Sequence, residues 1–208
     1  MASLPSFIRH LSLACLLLLL CFNAGSTPPL RDGDIIFQIS RSDQSLAIQL
    51  ATGSPYSHMG IIFHHHGDTY VYEALDIVRY TPLPQWIANG EEGHYVIKRL
   101  KQEERLTPAA LARLRREAEY WQGRSYDAKF LWSDDLVYCS ELVWKAYERA
   151  LGIQIGTPVA ISSLRLDIPE VQRRLAERFG DTMPPPDQLV ISPAAMYHSP
   201  LLRTVIRH

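Results

Sequence analysis

Cysteine is scarce in this chain. Three cysteines occur among 208 residues, and two of them, Cys15 and Cys21, lie in an apolar stretch near the N-terminus. Charge is nearly balanced, with 21 basic and 22 acidic residues and a formal net charge of −1. Because contacts to phosphates need a basic surface, this balance argues against a nucleic-acid partner. HExxH and CxxC patterns are also missing, which argues against the commonest zinc sites.

The N-terminal segment has the pattern of an export signal. A weakly basic start precedes an apolar run from Leu11 to Phe22, and Ala24-Gly25-Ser26 supplies the small residues that a signal peptidase reads. The run is too short for a comfortable membrane span. We predict a signal peptide over residues 1–26, cleaved near Ser26, and export to the periplasm or the medium. A lipoprotein is the alternative, but Leu20 before Cys21 disfavours it, since a lipid-modified cysteine normally follows a small residue.

Cleavage would leave Cys139 as the single cysteine, in the run Tyr138-Cys139-Ser140-Glu141-Leu142-Val143. Exported proteins usually pair their cysteines or have none, so a leftover thiol indicates a nucleophile. The run begins a predicted helix, and the free N–H groups and partial positive charge there stabilise a thiolate and an oxyanion. The alternative is a buried, unreactive cysteine that packs as a small hydrophobic side chain.

The remaining residues, 27–208, are predicted to form one domain of the α+β class. Short apolar or alternating segments predict strands, and capped amphipathic segments predict helices. Because the strands cluster early with helices around them, a series of βαβ units is not expected. The predicted strands are 35–39, 58–63, 69–74, 77–80 and 94–100, and the clearest helices begin at Pro108, Cys139 and about Asp167.

His58 and Glu73 are candidate partners for the thiol. A hairpin closed by His65 and His66 would set His58 directly opposite Glu73, with Cβ atoms roughly 4.5–5.5 Å apart. At that distance a carboxylate can orient an imidazole, which in turn can act as the base for Cys139. A three-residue loop would instead turn Glu73 to the other face of the sheet. The alternative is an ion pair on a half-exposed sheet.

The run His64-His65-His66 is predicted to be a solvated loop. Adjacent strand side chains point to opposite faces, and a loop rarely arranges three neighbours around one ion. We therefore expect no metal site.

Five segments, taken in order, resemble a known family. They are Gly33-Asp34-Ile35-Ile36, Tyr56 to Ile61, Tyr72-Glu73-Ala74, Gly123 to Asp127 and Tyr138 to Val143. Together they resemble the permuted papain-like amidases of the YaeF/YiiX group, bacterial cysteine hydrolases related to the NlpC-type cell-wall peptidases. The resemblance covers residues 31–151, with weaker similarity around 191–202.

That resemblance implies a circularly permuted papain-like (NlpC-type) fold, in which a small antiparallel sheet packs with helices. It also implies that Cys139 is the nucleophile, His58 the base and Glu73 the third member of a catalytic triad, with no metal or organic cofactor. The histidine preceding the cysteine in the chain agrees with the permutation. The resemblance assigns no substrate-binding residues.

The leading hypothesis is an exported thiol hydrolase that cleaves an amide or related acyl bond. Its partner would be a cell-wall peptide or a lipid amide, and it would work near the cell wall or the membrane. An acyltransferase with the same triad is an alternative. A second alternative is a non-catalytic binding module that keeps the papain-like groove, although such a module needs none of the three residues. The sequence does not choose between the substrates and makes no prediction of oligomeric state.

Overall fold

The computed structural model describes residues 28–180 and 183–208, so the predicted signal peptide lies outside the described residues. Within those ranges the main strands are β1 Ile35–Ser40, β2 His58–His65, β3 Asp68–Ala74, β4 Val78–Pro82, β5 Gly90–Leu100 and β8 Leu202–Arg207, and a short pair is β6 Val159–Ala160 with β7 Leu189–Val190. The α-helices are α1 Ser45–Thr52, α2 Leu83–Ala88, α3 Pro108–Glu119, α4 Cys139–Leu151, α5 Pro169–Phe179 and α6 Pro193–Tyr197. None of these helices is long and apolar enough to cross a membrane.

The main strands form one antiparallel sheet in the order β4-β3-β2-β1-β5-β8. Helices α3 and α4 pack on one face, over a large apolar core that includes Phe37, Ile61 and Leu142. Helix α2 covers the other face, where Trp86 meets a smaller cluster around Ile62. Because both faces are covered, β1 and β2 read as continuous apolar runs rather than alternating ones. The α+β prediction is confirmed.

Helix ends follow the predicted signals. Thr107 Oγ1 accepts a hydrogen bond from the Ala110 N–H, and Pro108 occupies the first helical turn of α3. Helix α4 begins at Cys139, as predicted, and ends at Gly152, whose φ of +62° is a conformation that glycine adopts at little cost. Tyr138 makes no side-chain capping hydrogen bond, so the apolar stripe and Gly152, rather than a cap, are the local signals for α4.

The Gly33-Asp34 segment serves the fold. Asp34 accepts two hydrogen bonds from Arg99, at 2.6 Å from Nε and 2.8 Å from Nη2, in a buried pair that ties the start of β1 to β5. Bidentate pairs of this kind fix geometry as well as charge. The Tyr147 hydroxyl on α4 donates to the Gly33 carbonyl, which holds the cysteine-bearing helix against the sheet.

The predicted register of the β2–β3 hairpin is wrong by two residues. The turn is His66-Gly67, not His65-His66, and β2 and β3 pair Ile61 with Tyr72 and Phe63 with Tyr70. Both turn residues have positive φ, +50° and +91°, as a two-residue hairpin turn requires, and glycine at the second position suits it. Because the shift is even, Glu73 keeps the predicted face but no longer lies directly opposite His58.

Helix α2, strand β8 and the short strands β6 and β7 were not predicted. Helix α2 follows β4 in the segment with Pro82 and Pro84, and its second residue is a proline, which a first helical turn tolerates. Strand β8 lies in the C-terminal tail and closes the β5 edge of the sheet. Strand β5 also begins at Gly90, four residues before the predicted start.

Candidate active site

His58 and Glu73 meet inside the protein. His58 Nε2 lies 2.5 Å from Glu73 Oε2, and the residues are 5% and 1% exposed. The Thr81 hydroxyl, from β4, donates to the other carboxylate oxygen at 2.5 Å. Each oxygen of the buried carboxylate therefore has a partner, which a buried charge requires. The contact with Glu73 fixes the orientation of the imidazole ring. It uses Nε2, so the other ring nitrogen, Nδ1, is not engaged by Glu73.

Glycine at position 60 lets β2 and β3 approach closely beside Glu73. A Cβ atom built on Gly60 would lie 2.5 Å from Val71 Cγ1 and 3.4 Å from Glu73 Cβ. Any side chain here would therefore force β2 and β3 apart. Glycine at this position is therefore required by the spacing of the two strands.

Trp86 packs against the His58 ring. The two ring centroids are 5.9 Å apart and the planes differ by 26°, so the rings stack. Trp86 is fully buried on α2, the helix that was not predicted. Sequence reasoning therefore missed both Trp86 and Thr81 as supports of the histidine. The sequence signal for these two residues was weak, because they flank two prolines, a pattern that predicts a turn.

Cys139 is the first residue of α4 and is 3% exposed. Tyr138 before it is extended, with φ −104° and ψ 169°, and its carbonyl accepts the Leu142 N–H at 2.9 Å. Helix α4 packs on β2 and β3, the strands that carry His58 and Glu73. The structure thus brings together the three residues selected from the sequence.

Charges in this group are strongly coupled. Burial lowers the pKa of His58, but Cys139 and then Glu73 raise it, to about 10. Burial raises the pKa of Glu73, but the His58 hydrogen bond and charge, followed by Thr81, hold the net value below its usual range. These two neighbours outweigh burial, so the environment favours the protonated form of His58 at neutral pH.

A half-open cleft leads to Cys139. The cleft is open to solvent on one side, and Tyr126 and Tyr138 lie on its wall. The Tyr126 hydroxyl accepts a hydrogen bond from Gln44 Nε2 at 3.2 Å. Burial and then Cys139 raise the pKa of Tyr126, so its hydroxyl keeps its proton at neutral pH. Most of the wall is aliphatic, including Ala47, Ile48, Ile161, Leu164, Val171 and Leu175.

The histidine run on β2 lies apart from this group. His64 Nδ1 lies 2.8 Å from Asp32 Oδ1, and Arg115 Nη2 donates to Asp32 Oδ2 at 3.0 Å. His66 lies in the hairpin turn rather than beside these groups. A guanidinium on the same carboxylate disfavours a bound cation. Within residues 28–180 and 183–208, no three His, Cys, Asp or Glu side chains form a group that could hold a metal ion.

A cysteine at a helix N-terminus, packed on an antiparallel sheet that carries a histidine and a carboxylate, is the arrangement of papain-like cysteine hydrolases. The chain belongs to the family of permuted papain-like amidase enzymes, YaeF/YiiX, C92, whose family model matches residues 29–206. The resemblance drawn from sequence motifs is thereby confirmed, and it extends through β8.

Two YiiX proteins are similar to this chain. The uncharacterized protein YiiX of Escherichia coli (strain K12) is 47% identical over 175 residues, which cover 84% of this chain and 85% of YiiX. The crystal structure of metalloprotein YiiX from Escherichia coli O157:H7 has a TM-score of 0.82 and 46% identity, covering 86% of this chain and 97% of that one. The permuted papain-like fold is therefore confirmed.

Proposed function

We propose that this protein is a cysteine hydrolase that cleaves an amide or related acyl bond with Cys139, His58 and Glu73. The observation that carries the proposal is the buried 2.5 Å contact between His58 Nε2 and Glu73 Oε2, beside a cysteine at a helix N-terminus. A buried ion pair is weak support for stability by itself, because apolar replacements are often as stable. Its position next to a lone thiol favours a catalytic role. Membership in a family of amidase enzymes supports the same reading.

The first half-reaction transfers the acyl group to sulfur. The Cys139 proton is held on His58 Nδ1, and the resulting thiolate attacks the carbonyl carbon to form a C–S bond. The backbone N–H groups at the start of α4 and the Tyr126 hydroxyl are the donors available to the oxyanion. The C–N bond then breaks as His58 gives its proton to the leaving nitrogen, which leaves a thioester on Cys139.

The second half-reaction releases the acid. His58 takes a proton from water, whose oxygen attacks the thioester carbonyl, and the C–S bond breaks to give a carboxylic acid and the thiolate. Throughout both halves, Glu73 accepts the Nε2–H bond and stabilises the imidazolium. Attack by another acceptor in place of water would make the same residues an acyltransferase.

A metal does not fit this group of side chains. The related crystal structure is titled a metalloprotein, but here both Glu73 oxygens already accept hydrogen bonds, from His58 and Thr81. The Cys139 sulfur and one imidazole nitrogen remain, fewer than the three protein ligands of a catalytic zinc site. The mechanism therefore uses no metal-dependent step.

We also propose that the enzyme acts outside the cytoplasm after removal of residues 1–26. The basic start, the apolar run and the small residues before Thr27 support this. Expression of the full chain followed by N-terminal sequencing of the periplasmic fraction tests it. A mature N-terminus near Thr27 is expected, and an intact Met1 in the cytoplasm would contradict it.

Product analysis tests the proposed reaction. Purified protein is incubated with N-acyl amides and, separately, with peptidoglycan fragments, in ordinary and ¹⁸O-labelled water, and products are identified by mass spectrometry. We expect a free acid that carries ¹⁸O with the wild type and none with Cys139→Ala. His58→Ala should be nearly as inactive, because one group serves as base and then acid. Equal turnover by Cys139→Ala would overturn the proposal.

A further inference from the structure

We infer that Arg178 and Gln44 are positioning residues that direct the Tyr126 hydroxyl proton toward Cys139, where it donates to the oxyanion of the reaction. The inference rests on the proposed function and deepens it, because Tyr126 is one of the donors available to that oxyanion. It adds two residues, one at the start of α1 and one on α5, that act through Tyr126 rather than on the substrate.

The backbone of Tyr126 is fixed close to the start of α4. Tyr126 forms a parallel bridge with Val137, two residues before Cys139, and its N–H donates to the Asp76 carbonyl at 3.0 Å. The side chains of Tyr126 and Cys139 line the same cleft. Burial and then Cys139 raise the pKa of Tyr126, as expected for a phenol that lies close to a negative group. Tyr126 therefore brings a protonated hydroxyl to the reacting sulfur.

Arg178 decides which way the Gln44 amide faces. A guanidinium carries donors only and stays protonated in proteins. Arg178 Nη2 donates to Gln44 Oε1, and Arg178 Nη1 donates to the Ala128 carbonyl at 2.9 Å. A reversed amide would set its NH2 group against the guanidinium, donor against donor. The carbonyl of Gln44 must therefore face Arg178, and its NH2 group must face the other way.

The oriented amide in turn sets the direction of the Tyr126 hydroxyl. Gln44 Nε2 donates to the Tyr126 hydroxyl oxygen at 3.2 Å. Because the oxygen is the acceptor in this bond, the hydroxyl proton cannot point at Gln44. Within residues 28–180 and 183–208, the hydroxyl makes no second hydrogen bond. Its proton is therefore available to a group in the cleft beside Cys139.

The same arginine braces the loop that joins Tyr126 to Cys139. Phe130 in this loop has a φ of +53°, which is unfavourable for a side chain of its size. Its ring meets those of Tyr126 and Tyr138 edge to face, with centroids 6.4 and 5.1 Å apart. The Arg178 guanidinium lies 4.7 Å from the Phe130 ring centroid. Strain of this kind persists where the surroundings enforce it, and here it accompanies a fixed Tyr126 ring.

Gln44→Glu tests the direction of the hydroxyl with almost no change of shape. The carboxylate still accepts from Arg178, but it also accepts from Tyr126 and so draws the hydroxyl proton away from the cleft. With the N-acyl amide that the wild type turns over fastest, kcat should fall on the order of a hundredfold, the lower end for loss of one oxyanion donor, while KM changes little. Tyr126→Phe, which removes the donor itself, should show the same loss.

Double variants separate positioning from a general structural role. In the Tyr126→Phe background, Gln44→Glu should cause no further loss of kcat, because the donor is already absent. Arg178→Met, which frees the amide to rotate, should lower kcat alone but not in that background. Arg173→Met, at an exposed position of the same helix, should keep the wild-type kcat. Losses that multiply in the double variants, or a wild-type kcat in Gln44→Glu, would overturn the inference while leaving the hydrolase proposal intact.

Hydrogen positions test the inference without turnover. Neutron diffraction from wild-type crystals soaked in heavy water locates the deuterium atoms of the Tyr126 hydroxyl and of the Gln44 amide. We expect the Gln44 deuterium atoms to face the Tyr126 oxygen and the hydroxyl deuterium to point into the cleft beside Cys139. That result would support the positioning role even if the wild type hydrolyses nothing. A hydroxyl deuterium on the line from Tyr126 to Gln44 would overturn it even if the wild type is an active amidase.

Discussion

The imidazole Nε2 of His58 and the carboxylate Oε2 of Glu73 lie 2.5 Å apart in the interior, although the two residues belong to diagonal rather than opposed positions of β2 and β3. Thr81 donates a hydrogen bond to the second carboxylate oxygen. The remaining ring nitrogen of His58 is thus free to serve Cys139. Several measurable consequences depend on this pair.

Replacement of the carboxylate should slow turnover without abolishing it. In Glu73→Gln the amide oxygen can still accept the imidazole N–H bond, but the charge that stabilises the imidazolium is lost. We expect kcat to fall on the order of ten- to a thousandfold, below the roughly 10⁴-fold loss seen when a triad histidine is held in the wrong tautomer. Thr81→Val, which removes the hydrogen bond to Glu73 and a longer one from Arg79 but keeps the carboxylate, should lose less. A Glu73→Gln enzyme with wild-type kcat would contradict a catalytic role for this carboxylate.

Trp86 is expected to position His58 rather than to take part in the chemistry. Trp86→Leu keeps an apolar side chain but removes the stacked ring, so kcat should fall by about two- to tenfold, the range of an aromatic pair. Trp86→Phe should recover most of this loss, and KM for a short substrate should change little in either. Identical kcat values for the Leu and Phe variants would rule out the stacking contribution.

The raised pKa of His58 predicts that the free energy of unfolding depends on pH over a defined range. The pKa is about 6.5 for a free histidine and about 10 in the folded protein. The folded state therefore binds the proton more tightly, and the stabilisation is fully present below about pH 6.5 and is lost as the pH rises through about 10.

Urea denaturation of the wild type and His58→Gln between pH 6 and pH 10.5 measures this term. The difference in unfolding free energy should shrink as the pH approaches 10, and His94→Gln at an exposed position serves as the control. A difference that stays constant over this range would contradict the proposed charge state of His58.

Lys145 compensates a buried acid two residues after the nucleophile. Its Nζ lies 2.8 Å from Glu141 Oε1 and 3.0 Å from Asp134 Oδ1. Burial is the largest influence on Glu141 and raises its pKa to about 7, although Lys145 opposes the rise. Lys145→Met leaves the acid without its cation, so the free energy of unfolding at pH 8 should fall by about 3–5 kcal/mol.

Lys145→Met combined with Glu141→Leu should recover most of that loss, because the uncompensated charge is gone. Lys101→Met, at an exposed position, provides the control. If the single and double variants unfold at the same urea concentration, the lost stability comes from packing and not from the uncompensated charge of Glu141.

Local signals in the sequence were sufficient for much of the site. The two strands that carry His58 and Glu73 follow from apolar patterning, and the helix that carries Cys139 follows from its apolar stripe and from Gly152 at its end. The predicted hairpin register was wrong because the residues of the turn determine it. Gly67 readily adopts a positive φ, but three consecutive histidines give no indication of where the turn begins.

Long-range packing decides what the sequence did not predict. Trp86 reaches His58 only because α2 folds back over the sheet, and the cleft exists only because α5 packs against α1. No periodic pattern in the local sequence predicts either the Trp86–His58 contact or the packing of α5 against α1. Strand β8 likewise becomes a strand by pairing with β5, as its own sequence alternates poorly.

The most direct test of the account is the site of the covalent intermediate. The protein is mixed with the N-acyl amide that it turns over fastest, quenched in acid within one turnover, digested and analysed by mass spectrometry. We predict an acyl mass on the peptide that contains Cys139 in the wild type, no such adduct in Cys139→Ala, and a slowly formed one in His58→Ala. Turnover with no acyl group on Cys139, or an acyl group on another residue, would contradict the central claim.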